Sequence, residues 1–127
     1  MAACKCGSGK SFKECCEPFI KGTTLPNSPE ELLRSRYVAY ATQKVEYIQA
    51  TTHPDKLETF SLEGAKEWSK NTVWNKLEID GCPKSDQVEF TAWYTEEGEE
   101  IRHHEVSTFK KKGDRWYFYD SKFPKLP

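Results

Sequence analysis

Between Cys4 and Cys16 the chain reads CKCGSGKSFKECC, four thiols set around the tripeptide Gly9-Lys10-Ser11. Two chemistries use such residues. A phosphate-binding loop follows G-x-x-x-x-G-K-[ST] between a strand and a helix, with the lysine and backbone N–H groups on the phosphates. If Lys10 were that lysine, the first glycine would fall on Cys4, and the three residues before it are too few for the strand. A metal site fits the residues better. Structural zinc takes four ligands tetrahedrally, and Cys4, Cys6, Cys15 and Cys16 supply one zinc with a complete set. The spacing C-x-C-x8-C-C forces a sharp turn after Cys6, where Gly7 and Gly9 can take positive φ at little cost. Lys5, Lys10 and Lys13 are placed to offset the charge of four thiolates. Disulfides or redox-active thiols are the other uses of clustered cysteines. No apolar signal segment follows Met1-Ala2-Ala3, so a reducing cytoplasm is expected, where such clusters ligate metal. Cys82, ahead of Pro83, is a spare thiol with no visible partner and no sign of activation.

A second group of polar residues lies near the other end of the chain. On a strand over 99–111, alternation puts Ile101, His103, Glu105, Ser107 and Phe109 on one side. If that side is buried, Glu105 and Ser107 need partners, and Arg34, Arg36, Tyr37 and Tyr40 on an earlier helix are the candidates. Two outcomes are open. The set is either an architectural hydrogen-bond network or a pocket for a small ligand, an anion given the arginines. An arginine beside Glu105 would hold it ionised and weaken it as a base. His103 and His104 point to opposite faces of a strand and cannot share a metal. His53, before Pro54, reads as a cap or turn residue rather than a base. Trp68 and Trp74 read as core, closure of a cavity mouth being their other use.

The elements that would position these groups are legible from periodicity. The stretch EPFIKGTTLPNSPEE, with Pro18, Gly22, Pro26 and Pro29, reads as a connector ending in a helix cap at Ser28. A helix over 29–43 carries Leu33, Tyr37 and Tyr40 on one stripe; a short one follows over 45–51, stopped by His53-Pro54. A third runs from about 62 to 69 through Leu62, Ala65 and Trp68. From Val73 the period becomes two. Strands are expected through Leu77 and Ile79, Val88 to Tyr94, 99–111, and Arg115 to Asp120, with Gly98 and Gly113 at hairpin turns. Three helices ahead of a four-stranded antiparallel meander make an α+β arrangement, helices on one face of the sheet.

The thirteen residues from Cys4 resemble the SEC-C motif, the short zinc-binding module at the end of SecA translocase subunits, which reads approximately C-x-C-G-S-G-K-x-[FY]-K-x-C-[CH]. The rest of the chain resembles the bacterial YchJ type, in which that motif precedes a nuclear transport factor 2-like domain. The resemblance rests on RSRYVAY at Arg34–Tyr40, HP at His53-Pro54, VEFTAWY at Val88–Tyr94, HEVSTF at His104–Phe109 and RWYFYD at Arg115–Asp120. Ser121 stands where the family pattern has glycine. The resemblance implies zinc on Cys4, Cys6, Cys15 and Cys16, a knuckle over 1–22, and a curved sheet with a helical lid, the cystatin-like cone, over 23–127. Because the SecA module contacts a chaperone and the ribosome, it also implies an interaction role rather than catalysis.

Composition bounds the functions. The 127 residues suit one domain plus the knuckle, and a net charge of −1 gives no electrostatic footprint for nucleic acid. Mean hydropathy is −0.82 and no apolar run approaches a membrane span. The expectation is a zinc-binding adaptor that docks a partner protein through the knuckle. The alternative is a ligand-binding or acid–base protein working in the cone, with Glu105 or Asp120 and His53 as its groups. RNA or ribosome contact through the knuckle lysines with Phe12 and Phe19 ranks below both, since few cations cluster there.

Overall fold

The computed structural model describes residues 3–122. A 3-10 turn at Phe12–Glu14 leads into α1 (Glu17–Lys21), then α2 (Pro29–Ala41), α3 (Val45–Ala50), a 3-10 turn at Pro54–Thr59 and α4 (Leu62–Asn71). The strands β1 (Thr72–Gly81), β2 (Gln87–Glu96), β3 (Glu99–Lys112) and β4 (Arg115–Lys122) follow. They form one antiparallel sheet in chain order, β1-β2-β3-β4, curved around the helices. The α+β meander expected from the alternation is the observed fold. Bulges between Trp74 and Lys76, Ile79 and Gly81, and Thr108 and Phe109 bend it. The connector reading of 17–29 missed α1: Pro18 sits in its first turn, where its missing N–H is no loss, and Gly22 closes it at φ 82°.

Helix α2 is the axle of the molecule. Ser28 caps it by accepting from the Glu31 N–H at 3.2 Å, and Pro29 occupies the first turn. A single apolar stripe predicts one buried face, yet Leu32, Leu33, Ser35, Arg36, Tyr37, Val38 and Ala39 are all buried. The physical reason is that α2 is covered on several sides at once. It packs against α1, α3 and α4 as well as the sheet. Ser35, fully enclosed, bridges its own helix to α3 through the Tyr47 hydroxyl at 2.6 Å.

The end of α3 is tied to the last strand. Phe118 donates its N–H to Thr51 O at 2.8 Å and accepts from the His53 N–H at 2.9 Å. The concave face of the sheet carries Leu77, Val88, Phe90, Ala92 and Phe109 into a core shared with Leu32, Val38 and Ile48. Cys4, Cys6 and Cys16 belong to that same core.

Leu32 is wholly enclosed where α2 meets its neighbours. We expect Leu32→Ala to cost about 2–5 kcal/mol in urea unfolding, whereas Leu25→Ala, at a side chain 41% exposed, should leave the midpoint nearly unchanged.

Candidate functional site

The knuckle is built by backbone before sulfur. Cys4 N–H donates to Lys10 O at 2.8 Å, and Gly7 N–H to Cys4 O at 3.2 Å, so the chain doubles back after Cys6. Gly7 and Gly9 hold that turn at φ 81° and 89°. Gly7 meets a second demand: a Cβ there would stand 3.3 Å from Leu77 O, so the knuckle rests directly on β1. The turn at Phe12–Glu14 then returns Cys15 and Cys16 to the first pair.

All four Sγ atoms lie within 4.8 Å of one another. Cys6 and Cys15 are 3.5 Å apart, Cys15 and Cys16 3.8 Å. Thiolates at about 2.3 Å from one tetrahedral metal would sit about 3.8 Å from each other, so the set fits a four-coordinate ion with every position filled by protein. Ser8 Oγ lies 3.1 Å from the Cys15 sulfur. Arg34 donates from Nη1 to Cys6 O at 2.6 Å and from Nε to Glu30 at 3.1 Å, fastening the knuckle to α2.

The protons are unevenly held. Hydrogen bonding from the Cys16 thiol, with Ser8 helping against the opposing effect of burial, lowers Cys6 to about 4. Cys16 is pushed far above its ordinary value by that same bond and by burial. Burial also raises Cys4.

The second site is a cavity of about 390 Å³ between α2, α4 and the concave face of the sheet. Its walls are mostly rings. Trp74 packs on Tyr37, Tyr40, Trp68 and Tyr94 with centroids 5.0 to 5.8 Å apart. The register that pairs Trp74 with Tyr94 and Phe90 with Glu105 brings the rings and the carboxylate to one face. Glu105 is held by its own strand: one oxygen lies 2.9 Å from His103 Nε2, and the other accepts from Ser107 Oγ at 2.6 Å. Arg36, 8% exposed, donates from Nη1 to Ile48 O, Thr51 Oγ1 and Thr52 Oγ1 and stacks over Phe118 at 4.6 Å. Burial pulls its guanidinium below the ordinary value, with Tyr40, Tyr47 and Glu105 acting the other way.

A family model described as "YchJ, middle NTF2-like domain" matches residues 28–121, and the SEC-C motif model matches residues 2–18. The chain belongs to the YchJ family. A UPF0225 protein of Geobacter sulfurreducens is 45% identical over 123 residues, covering 92% of this chain and 76% of that one. One from Serratia proteamaculans is 37% identical, covering 95% and 83%. The solution structure of a SEC-C motif-containing protein from Rhodopseudomonas palustris superposes with a TM-score of 0.88 at 37% identity, covering 96% of this chain and 98% of that one. A crystal structure of a SEC-C motif-containing protein from Psychrobacter arcticus gives 0.80 at 29%, covering 98% and 84%.

Within this YchJ-type chain the candidate residues divide. Arg36, Tyr37, Tyr40, Trp68, Glu105 and Ser107 line the cavity. Three others do not. Arg34 turns to the knuckle, because two positions along a helix point it away from Arg36. Phe109 lies fully enclosed in the core beside Phe118. His53 caps the turn after it, accepting from Asp55 N–H at 3.1 Å, with its ring against Tyr117 and Tyr119. Neither arginine is within ion-pairing distance of Glu105; two neighbours on the same strand face hydrogen-bond to it instead. Trp68, read as core, is 38% exposed at the cavity's edge. Tyr94, Phe90, Phe118 and Ser121 also line the wall and were missed; the strand alternation that placed Glu105 would have found Tyr94 and Phe90.

His104, on the opposite face, stands 2.7 Å from Glu89 and 3.4 Å from Asp80, apart from His103 as strand geometry requires. Phe12 and Phe19 are partly buried against the core.

Two predictions follow from the knuckle's geometry. Gly7→Ala should cost about 1–2 kcal/mol, because L-residues pay that in the left-handed region, before any displacement of Leu77 O is counted; chemical denaturation reads it. Metal loading requires deprotonated sulfur. With Cys4 and Cys16 both raised, loading at neutral pH should release at least two protons. Affinity should therefore fall as pH falls, which calorimetry in buffers of different ionisation enthalpy measures directly.

Proposed function

We propose that this YchJ-type protein is a zinc-binding interaction module in which the metal is structural and performs no catalysis. The observation that carries the reading is the closed set of four cysteine sulfurs, which leaves no position for water or substrate. Zinc suits four thiolates better than hard cations do, and a reducing cytoplasm suits thiols that make no disulfide among the described residues. No helix of the described residues is long and apolar enough to cross a membrane.

The zinc would hold Cys4 and Cys6 to Cys15 and Cys16, and Arg34 and Gly7 carry that rigidity into α2 and β1. Lys5, Lys10 and Lys13 stay exposed on the outer surface of the knuckle, a cationic face for an acidic protein partner. A second reading, small-molecule binding in the cone, is favoured by the aromatic cavity itself.

Elemental analysis of protein purified without added metal should find one zinc per chain, with four thiols becoming titratable on chelation. Cys16→Ser should weaken zinc by roughly a hundredfold or more in chelator competition, since it removes a ligand rather than an outer-shell support. Absence of metal together with oxidised cysteines would sink the reading. For the adaptor role, a Lys5→Glu, Lys10→Glu, Lys13→Glu variant should keep zinc and fold while losing capture of an acidic partner; unchanged capture would remove the knuckle from the interaction.

A further inference from the structure

The cone's hydrogen-bonding groups are unequally used. Its one carboxylate, that of Glu105, already has a partner on each oxygen, His103 on one and Ser107 on the other. Its donors are less fully used. Every hydrogen bond of Arg36 leaves Nη1, so Nε and Nη2, the edge that can grip a carboxylate with two parallel bonds, have no acceptor among the described residues. No carboxylate of the described residues lies within ion-pairing distance of that guanidinium, although Glu105, which lines the same chamber, favours its charged form from further off. Trp74 Nε1 is buried with no partner among the described residues, and the rings of Tyr37, Tyr40 and Tyr94 line the same wall. A wall of rings with spare donors beside a largely buried cation suits an acceptor carrying negative charge.

Position supports the same conclusion. Arg36, Tyr40, Phe118 and Ser121 line both the main cavity and an adjoining, more open hollow of about 320 Å³, in which Lys56 stands. Arg36 therefore sits at the junction of an aromatic chamber and a way in. Asp120, on the rim of the outer hollow, and Glu105, in the chamber, are the negative groups nearby. Asp120 accepts from the Ser121 N–H at 2.9 Å, and Glu105 is engaged as described.

We propose that the cone binds a small planar carboxylic acid, its carboxylate on the Nε–Nη2 edge of Arg36 and its aromatic or unsaturated body against Tyr40, Trp68 and Trp74. The chamber is within the range of small-molecule sites, about 300–1,000 Å³, and suits a compound of one or two rings. The site is independent of the metal reading, since none of its lining residues is a cysteine.

The test uses the full-length, metal-loaded protein with three probes of similar shape: trans-cinnamate, cinnamyl alcohol and benzyltrimethylammonium. Titration is followed by tryptophan fluorescence and by the NMR shifts of the Trp74 and Arg36 Nε–H groups. Cinnamate should bind saturably and at least about tenfold tighter than either other probe, moving both Nε–H signals. Arg36→Lys, which keeps the charge and loses the fork, should weaken cinnamate by about tenfold. Should that variant fail to fold, Trp68→Ala at the exposed edge should weaken it roughly fivefold with the circular dichroism unchanged. Equal or tighter binding of the ammonium ion would show that Glu105 and the rings select a cation, and equal binding of the alcohol that only apolar area matters. Either result, or no saturable binding of cinnamate, overturns the proposal.

Discussion

A helix enclosed from several directions needs partners for the charges it carries inward, and α2 carries two arginines. Its stability rests on Arg36 Nη1 being solvated by protein oxygen in place of water. The Ile48 carbonyl and the Thr51 and Thr52 hydroxyls do this, which fixes the end of α3 against α2. Those hydroxyls are themselves anchored back on α3, Thr51 to Tyr47 O and Thr52 to Ile48 O, so the acceptors are preorganised rather than recruited. Thr51 also accepts from the Phe118 N–H through its carbonyl, and the same residues that solvate the charge close the cone at β4.

Arg34 is the complement on the other side. It needs no buried solvation, since Glu30 and the Cys6 carbonyl share its donors near the surface. The pair thus divides the molecule: one guanidinium binds the knuckle to the helix, the other hydrogen-bonds the end of α3 and stacks on Phe118 of the sheet. With Cys4, Cys6 and Cys16 packed among the core residues, the knuckle acts as a wall of the domain and not as a pendant tag.

What the sequence disclosed, it disclosed locally. Four cysteines within thirteen positions define a ligand set without any knowledge of tertiary structure, and alternation over 99–111 places Glu105 and Ser107 on one face because a strand's period is fixed by its pleat. The sheet and its hairpins were legible for that reason. Helix α1 was not, since five residues holding Pro18 have the composition of a loop and are helical only through packing and the Gly22 cap. The direction of Arg34 was hidden because the periodicity of α2 names one buried face, and nothing in the local pattern says that the knuckle covers another. Glu105 was assigned partners across the interface when two residues on its own strand face were already within reach.

The sheet is a plain meander, each strand paired with its successor in the chain. The seat of the knuckle is the opposite case, with Gly7 laid against Leu77 from the far end of the sequence. Local pairings form at small entropic cost and long closures at greater cost, an ordering that favours the hairpins before the N-terminal clasp. Contacts completed after the folding barrier slow the escape from the native state without hastening arrival. Contacts of the knuckle's kind therefore bear on how long a folded molecule lasts more than on how quickly it is made.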